Sequence, residues 1–215
     1  MRIISHVLSW VFLPLLMPSY GLLISLYYPS EQLNQSVNSM FALPSAIKSQ
    51  LFWLFFTFSF VAPGISFVML HRRKIISTID MENGKERNIP LLIMFGYCIF
   101  LFALFLYKAP NGILPSFFYA LPLSGAIVTA AFMLINRWIK ISMHAGGGGI
   151  LCGYLIAFFI GQFNPPIFII TLAFLFSGLT ISARLFLNKH LEIEVYSGWI
   201  LAFLITFSCN WLYPA

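Results

Sequence analysis

The sequence predicts an all-α, polytopic membrane helix bundle with about six to seven transmembrane helices, formed by one integral membrane domain that covers residues 1–215. Of its 215 residues, 60% are hydrophobic and only 8% are charged, and the mean hydropathy is +0.91. The apolar runs are continuous and are separated by short polar loops. Continuous runs favour helices, which satisfy their own backbone hydrogen bonds in lipid, over barrel strands, which alternate apolar and polar residues.

Seven apolar runs predict the spans. They cover residues 7–28, 51–70, 89–107, 114–135, 147–163, 166–183 and 195–213. Pro14 and Pro18 in the first run and Pro63 in the second are expected to kink their helices, a distortion that neighbouring helices compensate in a bundle. The first run lacks a small-residue cleavage site, so we interpret it as a span and not as a signal peptide.

Positive charge is distributed unevenly among the loops. With seven spans, the long charged loop 71–88 lies on the same face as loops 136–146 and 184–194. Ten of the twelve lysines and arginines then lie on this face, and only Lys48 and Lys108 lie on the other. The positive-inside rule therefore predicts a cytosolic polar face, and we expect a protein of a bacterial inner membrane. This topology accounts for the net charge of +6 without nucleic-acid binding.

One polar stretch between the last two runs carries residues suited to catalysis. It reads ARLFLNKHLEIEVYSG, from Ala183 to Gly198. A helical turn through His190 and Glu194 would bring a carboxylate beside an imidazole ring, as in a nucleophile with its orienting base. Arg184 supplies a planar guanidinium that suits phosphate oxygens. The alternative interpretation is that these residues only cap two membrane helices.

A second polar stretch leads into the fifth run, where Ser142 and His144 precede four consecutive glycines, residues 146–149. The first amides of a helix bind anions, and glycine lets a phosphate approach the backbone closely. Small residues also mediate tight packing between membrane helices, which is the alternative explanation of the glycines. The neighbouring serine and histidine favour phosphate binding.

Both stretches resemble motifs of the type 2 phosphatidic acid phosphatase superfamily, which also contains vanadium haloperoxidases. Its third motif, S-R-x5-H-x3-D, is matched in spacing by Arg184, His190 and Glu194, with alanine replacing the serine and glutamate replacing the aspartate. Its second motif, P-S-G-H, is matched by Ser142 and His144, without the proline and the glycine. This resemblance covers residues 136–200.

The first motif of that family, K-x6-R-P, is represented only by Arg87 three residues before Pro90, with Lys85 nearby and no lysine seven residues before the arginine. The resemblance implies that His190 attacks phosphorus and forms a phosphohistidine, that Glu194 orients the ring, and that His144 serves as acid and then as base. It implies that the phosphate is held by Arg184, Ser142, Gly146, Lys140, Arg87 and Lys85. No metal or other cofactor is required.

The sequence thus predicts a membrane-embedded phosphatase that hydrolyses a lipid phosphate. Phosphatidic acid, phosphatidylglycerol phosphate and isoprenyl phosphates or diphosphates all carry the necessary group. The expected partners are this substrate and the surrounding membrane lipids, and the sequence leaves the oligomeric state open. The main alternative is a catalytically silent relative that binds lipid or acts as a scaffold. A transporter or channel is less consistent with spans that contain almost no charges.

Overall fold

Nine α-helices account for most of the described chain in this computed structural model. The structure describes residues 2–29, 40–79, 81, 83–109, 114–162 and 164–213, so residue 163 of the predicted fifth span and much of the first predicted loop lie outside it. The helices are α1 (Arg2–Val11), α2 (Met17–Tyr27), α3 (Ser45–Phe56), α4 (Ala62–Arg72), α5 (Asn88–Lys108), α6 (Phe117–Ile135), α7 (Met143–Ile160), α8 (Ile167–Phe186) and α9 (Glu192–Leu212). The predicted all-α class is confirmed.

Six helical segments of the described chain are long and apolar enough to cross a membrane, which makes the chain an integral membrane protein. Helices α3 and α4 form one of them, and helices α5 to α9 form the other five. A single 3-10 turn, Gly84–Arg87, leads directly into α5. These six segments correspond to the second to seventh predicted spans.

The first predicted span, 7–28, is wrong as a single helix. It consists of α1 and α2, separated by a break at residues 12–16 that contains Pro14. Proline has no N–H for the helical ladder and clashes with the preceding turn, so the helix ends before it. Pro18, in contrast, lies in the first turn of α2, where the missing N–H costs nothing. Neither half approaches the roughly 20 residues that a span needs.

The second span continues past its proline because the helix widens locally. A π-helical turn, Thr57–Val61, joins α3 to α4 immediately before Pro63. The Ala62 N–H donates to the carbonyl of Thr57, five residues back instead of four. Such π-helical turns are often found at functional sites, and this one lines the large cavity described below.

Helix α7 is the centre of the bundle and packs against α2, α8 and α9. Gly149 and Gly153, four residues apart, lie on its α9 side. A methyl group on either would collide with a backbone carbonyl of α9, that of Trp199 or that of Phe203. The two helices therefore touch backbone to backbone, as in other membrane helix pairs that meet through small residues.

The alternating direction of the spans collects one set of helix ends at one side of the bundle. We name this side the site face; it contains the ends of α4, α6 and α8 and the starts of α5, α7 and α9, and its loops are hydrogen-bonded to one another. The predicted gathering on one face of the charged loop 71–88 and the polar stretches before α7 and α9 is confirmed. The break in the first predicted span does not change this arrangement, because the break precedes all three segments.

Candidate active site

His190 and Glu194 form a buried pair at the start of α9. Nδ1 of His190 lies 2.8 Å from Oε2 of Glu194, and the N–H of Leu191 donates to the same oxygen at 3.2 Å. The predicted contact between imidazole and carboxylate is thus confirmed. An ionised carboxylate only accepts hydrogen bonds, so the proton is on Nδ1 and the lone pair of Nε2 is available. The backbone reaches this geometry through Asn188, whose φ of 51° turns the chain between α8 and α9.

Burial and nearby positive charges keep the ring of His190 neutral. Burial lowers its pKa below the ordinary value of 6.5, and the positive charges of Arg87 and Arg184 lower it further, while the hydrogen bond that Nδ1 donates to Glu194 acts in the opposite direction. Arg184 lies in the last turn of α8 and is only 3% exposed. Both guanidinium groups are therefore within electrostatic reach of the imidazole, which is uncharged at neutral pH.

Arg87 is a central residue of the site, although its sequence motif is the least complete. Its side chain is 2% exposed. Nε donates to the carbonyl of Met81 at 2.8 Å, and Nη1 donates to the carbonyl of Ile141 at 2.6 Å. The guanidinium thereby fastens the loop before α5 to the loop before α7. Lys85, on the same 3-10 turn, has an exposed side chain, unlike the buried members of the site.

Ser142 connects the polar stretch at the start of α7 to the polar stretch between α8 and α9. It is fully buried, and its N–H donates to the carbonyl of Glu194 at 3.0 Å. Its hydroxyl caps α7 by accepting from the N–H of Ala145 at 3.4 Å. A Cβ on Gly198 would lie 2.8 Å from the carbonyl oxygen of Ser142, so the glycine allows this close approach. The spacing of the two stretches is therefore fixed by backbone contacts.

His144 lies in the first turn of α7 and is 8% exposed. Its neighbours include the charged Arg184 and Arg87 and the neutral His190, and the backbone of Ser9 lies close to its ring. The structure thus brings together both predicted histidines, two arginines and Glu194. The sequence analysis assigned no role to Ser9. The sequence indicates its position only through Pro14, because this proline ends α1 where Ser9 reaches the site.

The four glycines are explained by packing, which corrects the phosphate-binding interpretation of Gly146. Its N–H already donates to the carbonyl of Ser142 at 3.0 Å, and a Cβ there would lie 2.5 Å from the ring of Phe132. The other three glycines adjoin three other elements. A Cβ on Gly147 would meet Pro14, one on Gly148 would meet Ser177, and one on Gly149 would meet Trp199. Amides for an anion at this helix start are those of residues 143 and 144.

Lys140 is half-buried at the edge of the site. Its Nζ donates to the carbonyl of Lys189 at 3.0 Å, which ties the α6–α7 loop to the α8–α9 loop. This hydrogen bond gives Lys140 a structural role beside its predicted contact with phosphate. Among the described residues, no three histidine, cysteine or carboxylate side chains are grouped as a metal site would require.

A cavity of about 1040 Å³ adjoins the site. His144, Arg184 and Lys189 line its polar end, and its body is lined mainly by apolar side chains of α4, α5 and α6.

No family model matches the sequence, and no curated protein or solved structure matches it either. The function of the site is therefore inferred from its own residues and their surroundings.

Proposed function

We propose that this protein is a membrane-embedded phosphatase, a short and divergent relative of the type 2 phosphatidic acid phosphatases, that hydrolyses a lipid phosphate through a phosphohistidine. One observation carries the proposal: the buried His190–Glu194 pair shares its surroundings with His144 and two buried arginines. A mere helix-capping role does not require two arginines beside a neutral histidine. A site for a phosphate dianion does, because the anion balances the positive charge.

In the first step, Nε2 of His190 attacks phosphorus and the bond from phosphorus to the ester oxygen breaks. The negative charge of the bound phosphate favours protonation of the buried His144, which then gives this proton to the leaving alkoxide. Glu194 stabilises the positive charge that develops on the His190 ring through its hydrogen bond to Nδ1. In the second step, His144 takes a proton from water, the resulting hydroxide attacks the phosphohistidine, and the P–N bond breaks to release inorganic phosphate.

The transferring phosphoryl group carries its charge on three equatorial oxygens, so its catalysis depends chiefly on positioned donors. Arg184 and Arg87 supply guanidinium N–H groups that are held rigidly by burial and, for Arg87, by two carbonyl contacts. The hydroxyl of Ser142 and the first amides of α7 add donors at the positive end of a helix dipole.

The position of the site favours a lipid over a soluble phosphate ester. Its residues lie at the ends of membrane-spanning helices, and its polar end continues into an apolar cavity. Nine of the described lysines and arginines belong to the site face: Arg72, Arg73, Lys74, Lys85, Arg87, Arg137, Lys140, Arg184 and Lys189. Lys48 and Lys108 belong to the opposite face. This difference supports a cytosolic site face. The expected location in a bacterial inner membrane stays a prediction.

The test is phosphate release by the purified, detergent-solubilised protein from phosphatidic acid, phosphatidylglycerol phosphate and isoprenyl phosphates. We expect release by the wild type and its loss in His190→Ala and in His144→Ala. With radiolabelled substrate, His190→Ala should also lose the acid-labile, base-stable label of a phosphohistidine. If the folded wild type releases no phosphate from any of these lipids, the proposal fails and the alternative of a lipid-binding or scaffold protein replaces it.

A further inference from the structure

The cavity beside the site covers more than half of the depth of a membrane. It extends along α5 from Pro90 to Leu101 and along α6 from Phe132 to Leu121. At 1.5 Å per residue these two eleven-residue separations are each about 16.5 Å. The hydrocarbon core of a bilayer is about 30 Å thick, so the cavity is deep enough to hold a long part of a lipid chain.

The two ends of this cavity differ in chemistry. At the site face its wall includes Arg72, Arg184 and Lys189 together with His144. Away from the site face it is lined by apolar side chains such as Phe55 of α3. None of the described residues that line it is acidic. A wall with a cationic end and an apolar body is complementary to an amphiphile with an anionic headgroup.

The cavity also opens sideways toward lipid. Trp10 of α1 and Ile65 and Met69 of α4 all line it, and these side chains are 69%, 58% and 50% exposed. Helix α1 packs on α8, whereas α4 packs on α5, so the two helices flank an opening. The break around Pro14 allows α1 to leave the direction of α2 and to form one side of it.

We propose that this cavity is a chain-binding chamber, which admits a phosphorylated lipid sideways between α1 and α4 and holds one of its hydrocarbon chains while the phosphate lies at His190. The phosphate of the occupant lies at the site face, because the cationic part of the chamber wall is there. The inference rests on the proposed function only for the role of His190. Binding of the chain itself is independent of turnover.

The chamber predicts a specific dependence on chain length. With dissolved, monomeric substrates, each methylene that enters the chamber leaves water, so kcat/KM should rise about fourfold per methylene. The rise should stop when the chain reaches the closed end of the chamber. A site that reads only the headgroup would show no such rise.

Two glycines provide a matched pair of variants. Gly64 of α4 lines the chamber, and nothing lies within 4 Å of a Cβ placed on it, so Gly64→Phe fills the chamber without a clash at Cβ. Gly96 of α5 also has nothing within 4 Å of such a Cβ, but it does not line the chamber, so Gly96→Phe is the control. Displacing about two methylenes should lower kcat/KM for long-chain substrates about 15-fold in Gly64→Phe. Hydrolysis of a water-soluble aryl phosphate should persist in both variants.

The same variants are tested for binding with phosphatidic acid that carries a photoreactive diazirine at the end of one chain. Crosslinks at the chamber wall in the wild type and Gly96→Phe, and their loss in Gly64→Phe, would support the chamber. Crosslinks only on the outer surface, or the same chain-length dependence in both variants, would overturn it. Crosslinks in the chamber without phosphate release would support the chamber and reject the phosphatase. Phosphate release without these crosslinks would do the reverse.

Discussion

Replacing Glu194 with glutamine tests the catalytic pair most directly. Glu194→Gln keeps the length of the side chain and keeps an oxygen that can accept from the N–H of Leu191, so the start of α9 remains capped. It removes the charge that faces Nδ1 of His190 at 2.8 Å. A hydrogen bond to a charged group contributes about 1.5–3 kcal/mol. If that energy acts fully on the developing imidazolium, turnover falls about tenfold to 150-fold.

The assay is phosphate release from the best lipid substrate in detergent micelles, with kcat and KM determined separately. We expect the loss in kcat, because the interaction strengthens only as the ring becomes charged. Glu192→Gln is the matched control, since Glu192 lies in the same first turn of α9 but is exposed. It removes the same charge from the same helix end. Equal losses in both variants, or full activity of Glu194→Gln, would refute the assigned role.

Three further predictions concern the rest of the site and its support. Arg87→Gln should lower phosphate release at least about tenfold because it removes a buried, charged donor. Lys85→Gln changes an exposed position and should stay near the wild-type rate. Equal rates in the two variants would contradict the assigned role of Arg87. Gly149→Ala should lower the free energy of unfolding by about 1–3 kcal/mol, because its methyl group collides with an α9 carbonyl. The control is Gly178→Ala, whose methyl group meets nothing within 4 Å. Thermal unfolding should show the loss of stability in the first variant and not in the second. Because burial and its arginine neighbours lower the pKa of His190, the ring stays neutral below pH 6.5, so the acid-side fall in kcat/KM that His190 causes should lie below pH 6.5. In Arg87→Gln this fall should move to higher pH, and an unchanged profile would argue against the charge effect.

Much of the fold follows from hydrophobicity alone. Six of the seven predicted spans match observed helical segments, because about 20 apolar residues in lipid have few alternatives to a helix. The prediction of a single helix for the first run was wrong for a local reason that hydropathy does not show. Pro14 breaks the run into two helices, whereas Pro63 is accommodated by a π-helical turn. Whether a proline breaks a helix or only distorts it depends on neighbouring residues that are distant in sequence.

The site shows the same division between local and distant information. The contact between His190 and Glu194 was predictable from their four-residue spacing. The expected helical turn through both residues does not form, because α9 begins at Glu192 and the backbone of Leu191 is extended. Arg87 was the weakest assignment, since its role depends on carbonyls of Met81 and Ile141, and the latter lies 54 residues away. The glycines in the first turns of α7 were ambiguous because both anion binding and tight packing need small residues.

The sequence by itself determined the membrane class, the span positions after the first run, and the pairing of one histidine with one carboxylate. These are consequences of composition and of short spacing, which act within a single segment. Only the tertiary structure decided that Arg87 joins the site, that the glycines serve packing, and that α1 ends beside His144 and borders an open cavity. Each of these depends on which helices become neighbours, and that choice is made by side-chain packing across the whole bundle.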